Sequence, residues 1–344
     1  MSIADEQRVS ASGATTAQSA SQPDAYSPHV IRKLNDLTSD FYTREAASFS
    51  ATRQAPWHGW ERVWKLITAH DAVQNPFPSH AARVPDDDTG DSGAPLTILD
   101  LGCGNLRFER FLAERTNAPL RVTALDNCPD LASPEIGALS AAFPHSLRSS
   151  SAASKTKEED ASGQGANPPE KTIVDLRALD IVESLLDGTF ADRLPRNSHD
   201  LAVAFGLMHH LPTFALRARV LEGLLGSLRP GGFAVVSFWQ FLNDPRLAAK
   251  AATVTAEGRA AHRLPTFHEN DFLLGWQHAE GVYRFCHHTP EDEIDALLAA
   301  IREPSAPSTS GCASAAPPSF REIARFSADG KLGNLNRYLI LQRL

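Results

Sequence analysis

Cysteine is scarce in this 344-residue chain, and Cys103, Cys128, Cys286 and Cys312 are scattered with no C-x-x-C pair among them. That argues against a disulfide framework and a structural zinc, and fits reduced thiols in a cytoplasmic protein. No apolar run approaches the roughly 18 residues needed to cross a bilayer, so no membrane span is expected. The N-terminus lacks the apolar core of a secretory signal and is too poor in Arg for an organellar transit peptide. Positive charge is also short: 33 Lys and Arg stand against 41 Asp and Glu, a formal net charge of −8. Phosphate contacts need Lys and Arg, so this weighs against generic nucleic-acid binding while leaving room for a local basic cleft. No internal repeat is present.

What remains is ordinary globular composition, with 42% hydrophobic and 22% charged residues. Residues 1–25 are low-complexity and polar and read as a disordered tail. Residues 26–344 read as a single domain, interrupted by low-complexity surface insertions over about 146–169 and 304–318, because patterned segments resume on each side. A polar loop over 85–94 precedes the first clear strand, Leu96–Leu101 (LTILDL). Arg121–Asp126 reads as a second strand, Thr172–Val174 begins a third, and Leu201–Phe205 is a fourth, entered through turn-forming Asn197, Ser198 and Asp200. Phe214–Leu228 carries apolar residues at helical spacing, stopped by Arg229-Pro230-Gly231-Gly232 before a fifth strand, Phe233–Phe238. Alternating strands and helices imply an α/β fold with a parallel sheet covered on both faces. Phe320–Phe326 and Tyr338–Leu341, joined by Asp329-Gly330 and Gly333-Asn334, predict a closing antiparallel hairpin.

The strongest local signal is Leu99-Asp100-Leu101-Gly102-Cys103-Gly104-Asn105, where the first strand meets its helix. Glycines there let the backbone pass close to a ligand. Ligands of open α/β sheets bind beyond the carboxyl ends of the strands. A dinucleotide fingerprint needs a third glycine for close helix packing, but Arg107 holds that position, which disfavours a pyrophosphate.

This Asp100–Gly104 pattern resembles motif I of class I methyltransferases. The resemblance implies their Rossmann-like fold, a mostly parallel seven-stranded sheet with a C-terminal antiparallel hairpin, and S-adenosyl-L-methionine as cofactor. Asp100, Gly102 and Gly104 would run past its methionine portion. Asp126, ending the second strand, would accept from the ribose hydroxyls, and Asp180 would contact the adenine. The run Leu228–Gly232 before a strand is a further hallmark of that superfamily. Taken alone, Asp180 also suits a helix cap for Ile181–Leu186, and the Leu228–Gly232 run suits a helix stop.

A narrower resemblance is to the tRNA wobble-uridine carboxymethyl methyltransferases, including the domain fused to an AlkB-type dioxygenase in animals. It rests on Phe41-Tyr42 with Phe49–Trp57 (FSATRQAPW), on Gly206–Leu211 (GLMHHL), on Asp271–Trp276 followed by Tyr283–His288 (YRFCHH), and on Asn336–Ile340. It spans residue 26 to the C-terminus apart from the insertions. It departs at His58, where a second Pro is usual, at Phe285-Cys286, where paired tyrosines are usual, and at Arg107-Phe108. The family resemblance implies tRNA as substrate and a small zinc-binding activator subunit as partner.

Esterifying a carboxylate needs no general base, because the nucleophile is already ionised at neutral pH. What it needs is alignment of carboxylate oxygen, methyl carbon and sulfur. A guanidinium can clasp one carboxylate oxygen and leave the other free. Arg53 and Arg284 are therefore candidate catalytic residues together with His209, and Trp57, Trp276 and His210 are candidate acceptor contacts, the tryptophans as stacking platforms. The same arginines also suit surface ion pairs, and the tryptophans suit core packing. Cys286-His287-His288 invites a metal, but neighbouring side chains of an extended segment point to opposite faces, and no metal is expected. A methyltransferase acting on a small carboxylic acid or other metabolite is the competing reading, favoured by the acidic net charge. A cofactor-binding adaptor is the third, and the intact glycine motif weighs against it.

Overall fold

The computed structural model describes residues 26–69, 95–116, 118–132, 147–149, 172–277, 279–303 and 318–344. The tail over 1–25, the loop over 85–94 and nearly all of the insertions over 146–169 and 304–318 lie outside the described residues. The described helices are α1 (Pro28–Ala51), α2 (His58–Ala69), α3 (Arg107–Ala113), α4 (Ile181–Leu186), α5 (Phe190–Arg193), α6 (Phe214–Ser227), α7 (Pro245–His262) and α8 (Glu291–Arg302).

Strands β1 (Leu96–Leu101), β2 (Leu120–Asp126), β3 (Leu147–Ser149), β4 (Thr172–Ala178), β5 (His199–Ala204), β6 (Leu228–Trp239), β9 (Phe320–Ala328) and β10 (Asn336–Arg343) form one sheet. Their order is β3-β4-β2-β1-β5-β6-β10-β9. The pairings are parallel from β3 to β6, whereas β10 runs antiparallel to both β6 and β9. The seven expected strands, the two of the closing hairpin among them, are all present. The short β3 is an addition: Leu147 aligns with Val174 on the outer edge of β4, inside the stretch read as an insertion. An open sheet edge offers unpaired N–H and C=O groups that a passing segment can satisfy.

Alternation along the strands builds a core on each face. Leu99, Leu101, Ala202 and Ala204 pack with helices α4, α6 and α8 on one side. Ile98, Leu201 and Val203 pack with α2 and α3 on the other. Chain order reverses between β1 and β5, so the crevice beyond their carboxyl ends is the topological switch point where such sheets bind ligands.

Two local expectations need correction. Asp200 is not in a turn but inside β5, where its carboxylate accepts from the Thr97 backbone N–H at 2.8 Å and Thr97 hydroxyl at 2.7 Å, and from Arg229 at 2.9 Å. The residues Leu228–Gly232 end α6 but already belong to β6, with Leu228 aligned with His199 and an irregular step before Phe233 meets Leu201. The backbone there crowds its neighbour: a Cβ on Gly232 would stand 3.0 Å from the carbonyls of both Asp200 and Arg229.

Over the crevice lies a cap that the strand pattern does not foretell, made from α1, α7 and a small antiparallel hairpin of β7 (Asp271–Leu274) and β8 (Arg284–His287). Ser27 caps α1 and Pro28 occupies its first turn, where a missing N–H costs nothing. A buried polar chain ties the cap down. Tyr26 donates to Asp271 at 2.8 Å, the His287 ring bridges Asp271 at 2.6 Å and Glu293 at 2.7 Å, and Arg217 of α6 donates to Glu293 at 2.8 Å.

Candidate active site

The glycine turn leaves β1 with φ of +72° at Gly102 and +54° at Gly104, conformations that L side chains rarely adopt. Asp126, at the end of β2, accepts the Gly104 N–H at 2.8 Å and the Cys128 N–H at 2.7 Å. Burial pushes its carboxyl pKa upward and those backbone bonds pull it back. Each oxygen retains capacity for a further donor, as a ribose diol requires. Asp180 does cap α4, accepting the Glu183 N–H at 2.9 Å through one oxygen. Its other oxygen accepts from Asn35 at 2.8 Å, and both residues line the cleft.

Asp100 is 2% exposed on the cleft wall, and one of its oxygens meets no donor. Glu109 of α3 is fully buried against it, with neither carboxylate oxygen satisfied by the rest of the protein. Burial first, then the neighbouring carboxyl, holds Asp100 well above the usual carboxylate range. Burial also raises Glu109.

The cleft encloses about 1110 Å³ of space, part of it open to solvent. Two side chains that follow the glycine turn fasten the segment before α2 to its rim: Asn105 donates to the Arg53 carbonyl at 3.0 Å and Arg107 to the Ala55 carbonyl at 3.0 Å. Helix α1 forms the opposite wall with Asn35, Thr38, Ser39 and Tyr42, a spacing of three and four residues that presents one helical face. That periodicity was the signal by which Tyr42 and Asn35 could have been found.

Of the residues expected at the acceptor end, Arg53, Trp57 and His210 line the cleft. The Arg53 guanidinium lies 3.6 Å from the Phe49 ring centre and 4.8 Å from that of Trp276. Arg284, Trp276 and His209 stand behind that wall. Arg284 is 4% exposed, boxed by Phe41 at 4.6 Å, Trp239 at 5.4 Å and Phe49 at 5.6 Å, and its Nε has no acceptor. Trp276 packs on Phe49 and donates its indole N–H to Ser48 at 3.0 Å. His209 is buried beside Trp239. Among the described residues neither Arg53 nor Arg284 forms an ion pair with a carboxylate. Burial, with Arg284 nearby, lowers the Arg53 pKa to about 10.

The ring of His210 has both nitrogens engaged. Nδ1 faces the Phe285 carbonyl at 2.7 Å and so carries the proton, which leaves Nε2 to accept from the Tyr42 hydroxyl at 2.8 Å. Burial and the Arg284 charge press its pKa down to about 3. His209, His210 and Cys286 bring ligand atoms within 4.8 Å of one another, a proximity across distant segments that the reading of Cys286-His287-His288 did not anticipate. The grouping suits a cation poorly. His210 has no free nitrogen, burial pushes the Cys286 thiol up to about 12, and Arg284 lies beside both. His287 points the other way, into the polar chain beneath the cap.

No family model matches the sequence, and no curated protein matches it. Solved structures with a similar chain path include a SAM-dependent methyltransferase from Methanosarcina mazei, 18% identical over 73% of this chain and 94% of that one, with a TM-score of 0.43. A second is the Burkholderia thailandensis 1,6-didemethyltoxoflavin-N1-methyltransferase with bound 1,6-didemethyltoxoflavin and S-adenosylhomocysteine, 15% identical over 94% and 92% of the two chains, TM-score 0.42. A third, an S-adenosylmethionine-dependent methyltransferase from Clostridium acetobutylicum, is 9% identical over 73% and 85%, TM-score 0.39. The strand order itself, with a parallel sheet reversing at β1 and β5 and closed by the antiparallel β9–β10 pair, gives this chain the Rossmann-like α/β fold of class I methyltransferases.

Proposed function

We propose that this chain is an S-adenosylmethionine-dependent methyltransferase that esterifies a carboxylate, that of 5-carboxymethyl-uridine at the tRNA wobble position. The observation that carries the reading is the pair of guanidiniums in and behind the cleft wall, Arg53 on it and Arg284 behind it, with no carboxylate paired to either among the described residues. A buried cation without a counter-ion is costly, so such a wall favours an anionic ligand. His210 beside them stays neutral and is too weak a base to activate a hydroxyl or ring nitrogen at neutral pH. An acceptor that arrives already ionised needs no such base.

In the proposed reaction Asp126 accepts from the ribose, Asp180 and Asn35 border the adenine, and the turn from Asp100 to Gly104 passes the methionine portion. Arg53 holds one carboxylate oxygen while the other attacks the methyl carbon. The carbon–sulfur bond breaks, its electron pair returns to sulfur, and the sulfonium becomes a neutral thioether with no proton transferred. Trp57 lines the cleft 5.3 Å from Trp60 between ring centres, which supports its proposed role as a platform for a base. Arg284 supplies charge from behind, and His209 packs the layer beneath His210.

The tRNA assignment is supported by the family resemblance and by where two of the departures from it fall, whereas Arg107 and Phe108 do line the cleft. Phe285 and Cys286, which replace the usual tyrosines, are fully buried and do not line the cleft. No described helix is long and apolar enough to cross a membrane. A cytoplasmic location and a small zinc-binding activator subunit belong to the same proposal, and co-purification from the native cell tests the second. The deciding experiment is mass spectrometry of tRNA nucleosides from a deletion strain. Loss of the wobble methyl ester with accumulation of the free acid is expected. An unchanged ester level overturns the tRNA assignment and moves a small carboxylic acid ahead.

A further inference from the structure

We infer that Arg107 binds the α-carboxylate of the cofactor's methionine portion and, with Asp100, forms a two-ended clamp for that zwitterion. The inference rests on the S-adenosylmethionine reading above. Arg107 follows the glycine turn directly, lies on the cleft wall and is 9% exposed. One terminal nitrogen is used on the Ala55 carbonyl, whereas Nε has no acceptor. No carboxylate pairs with it among the described residues. Asp329, the acid that influences it from a distance, is already engaged by Tyr338, Asn336 and the Gly59 N–H. The indoles of Trp57 and Trp60, at 5.2 and 5.1 Å from the guanidinium carbon, shield it from water without neutralising it. Burial accordingly lowers its pKa to about 10.

At the other side of the same turn, Asp100 is buried on the cleft wall with an oxygen lacking a donor, beside a second carboxyl. One strand–turn–helix unit thus presents to one cavity a carboxyl oxygen without a donor and a cation without a counter-ion among the described residues. A free amino acid group, with its ammonium and carboxylate, is the chemistry that satisfies both, because the guanidinium gains a counter-ion and the ammonium gives the Asp100 carboxyl a donor and favours its ionised form. Arg53, which lines the same cleft and feels the Arg107 charge, and Arg284 behind it have different immediate neighbours. Their guanidiniums lie among Phe49, Trp276 and Phe41, at the His210 end. The departure at Arg107, just after motif I, therefore has a function: a guanidinium stands where smaller or different residues are usual.

The test measures binding of S-adenosylhomocysteine and of its analogue lacking only the carboxylate, by calorimetry on the full chain. Wild type should bind the decarboxylated analogue about 10-fold or more weakly, the usual scale for a hydrogen bond to a charged group. In Arg107→Gln the affinity for S-adenosylhomocysteine should fall by that factor while the analogue is unaffected, so the preference for the carboxylate disappears. Arg107→Lys, which keeps the charge but not the fork, should retain an intermediate preference and covers the case in which the Gln variant fails to fold. A wild-type preference kept in full by either variant overturns the assignment. So does an equal loss for both ligands, which would make Arg107 only a fastener for Ala55. If wild type binds neither S-adenosylhomocysteine nor S-adenosylmethionine, the proposed function itself fails, a result distinct from both.

Discussion

Asp126 accepts the backbone N–H of Gly104 at 2.8 Å, so the carboxylate proposed to hold the ribose also fixes the turn that the cofactor passes. Asp126→Ala removes both contributions at once. It is expected to weaken S-adenosylhomocysteine binding by about 1.5–3 kcal/mol in a protein that still folds. Gly104→Val should act through the cavity, because a Cβ there meets nothing within 4 Å and the added branches enter the cleft from a strained φ of +54°. Calorimetry that finds unchanged affinity in both variants would remove the cofactor site from this turn.

Arg53 and Arg284 separate a contact from a background charge. Arg53→Lys loses the planar fork at the cleft wall and should reduce methyl transfer to carboxymethylated tRNA by about 10-fold or more, with cofactor affinity little changed. Arg284→Lys keeps the charge behind the wall, loses the stacking on Phe41 and Trp239, and should cost less activity than Arg53→Lys. Full activity in the Arg53 variant, or equal methylation of tRNA lacking the carboxymethyl group, contradicts a carboxylate acceptor.

The Asp100–Glu109 pair makes stability depend on pH in a stated direction. Both carboxyls titrate near 4 in an unfolded chain, but burial raises both in the folded protein. The folded state therefore binds more protons above pH ~4, and stability of the ligand-free protein should fall as pH rises through the raised values. Glu109→Gln removes one of the two charges without changing the side chain's volume. It should flatten that fall and raise Tm near neutral pH, by about 2–4 °C for each kcal/mol relieved. Thermal melts over about pH 5 to 8 that show the same slope in both proteins would refute the account.

His287 sits between Asp271 at 2.6 Å and Glu293 at 2.7 Å beneath the cap. His287→Leu removes one hydrogen-bond partner from each of two buried carboxyls, leaving Asp271 with Tyr26 and Glu293 with Arg217, and should cost about 1–3 kcal/mol for each group left short of a partner. Because β8 carries Arg284 and Phe285 as well, the loss should also reduce methyl transfer. A variant with unchanged Tm would show that the chain from Tyr26 to Arg217 does not hold the cap.

Local pattern carried much of the fold. The bounds of β1 were legible to the residue because Leu96–Leu101 is a short apolar run between turn signals, and those of α6 to within one residue because Leu216, Val220, Leu221, Leu224 and Leu225 share one face. The errors came where neighbouring strands overrode local chemistry. Asp200 looks like a turn residue, yet Thr97 on the adjacent strand and Arg229 satisfy its carboxylate inside β5. Arg229-Pro230-Gly231-Gly232 looks like a stop, yet β5 draws it into β6.

The sequence by itself located the parts of the proposed cofactor half, because they are contiguous or strand-terminal: a turn over Asp100–Gly104, an acid ending β2, a cap at Asp180. Position along the chain is there equivalent to position in space. Only the tertiary structure decided which residues face the proposed acceptor half. It placed Arg53, Trp57 and His210 on the cleft wall and set Arg284, Trp276 and His209 behind them, and it brought Cys286 to the two histidines. These residues come from α1, the segment before α2, the end of β5 and the β7–β8 hairpin. Which of them faces the cavity depends on how α1 and the hairpin pack over the sheet, a long-range outcome that no local periodicity encodes.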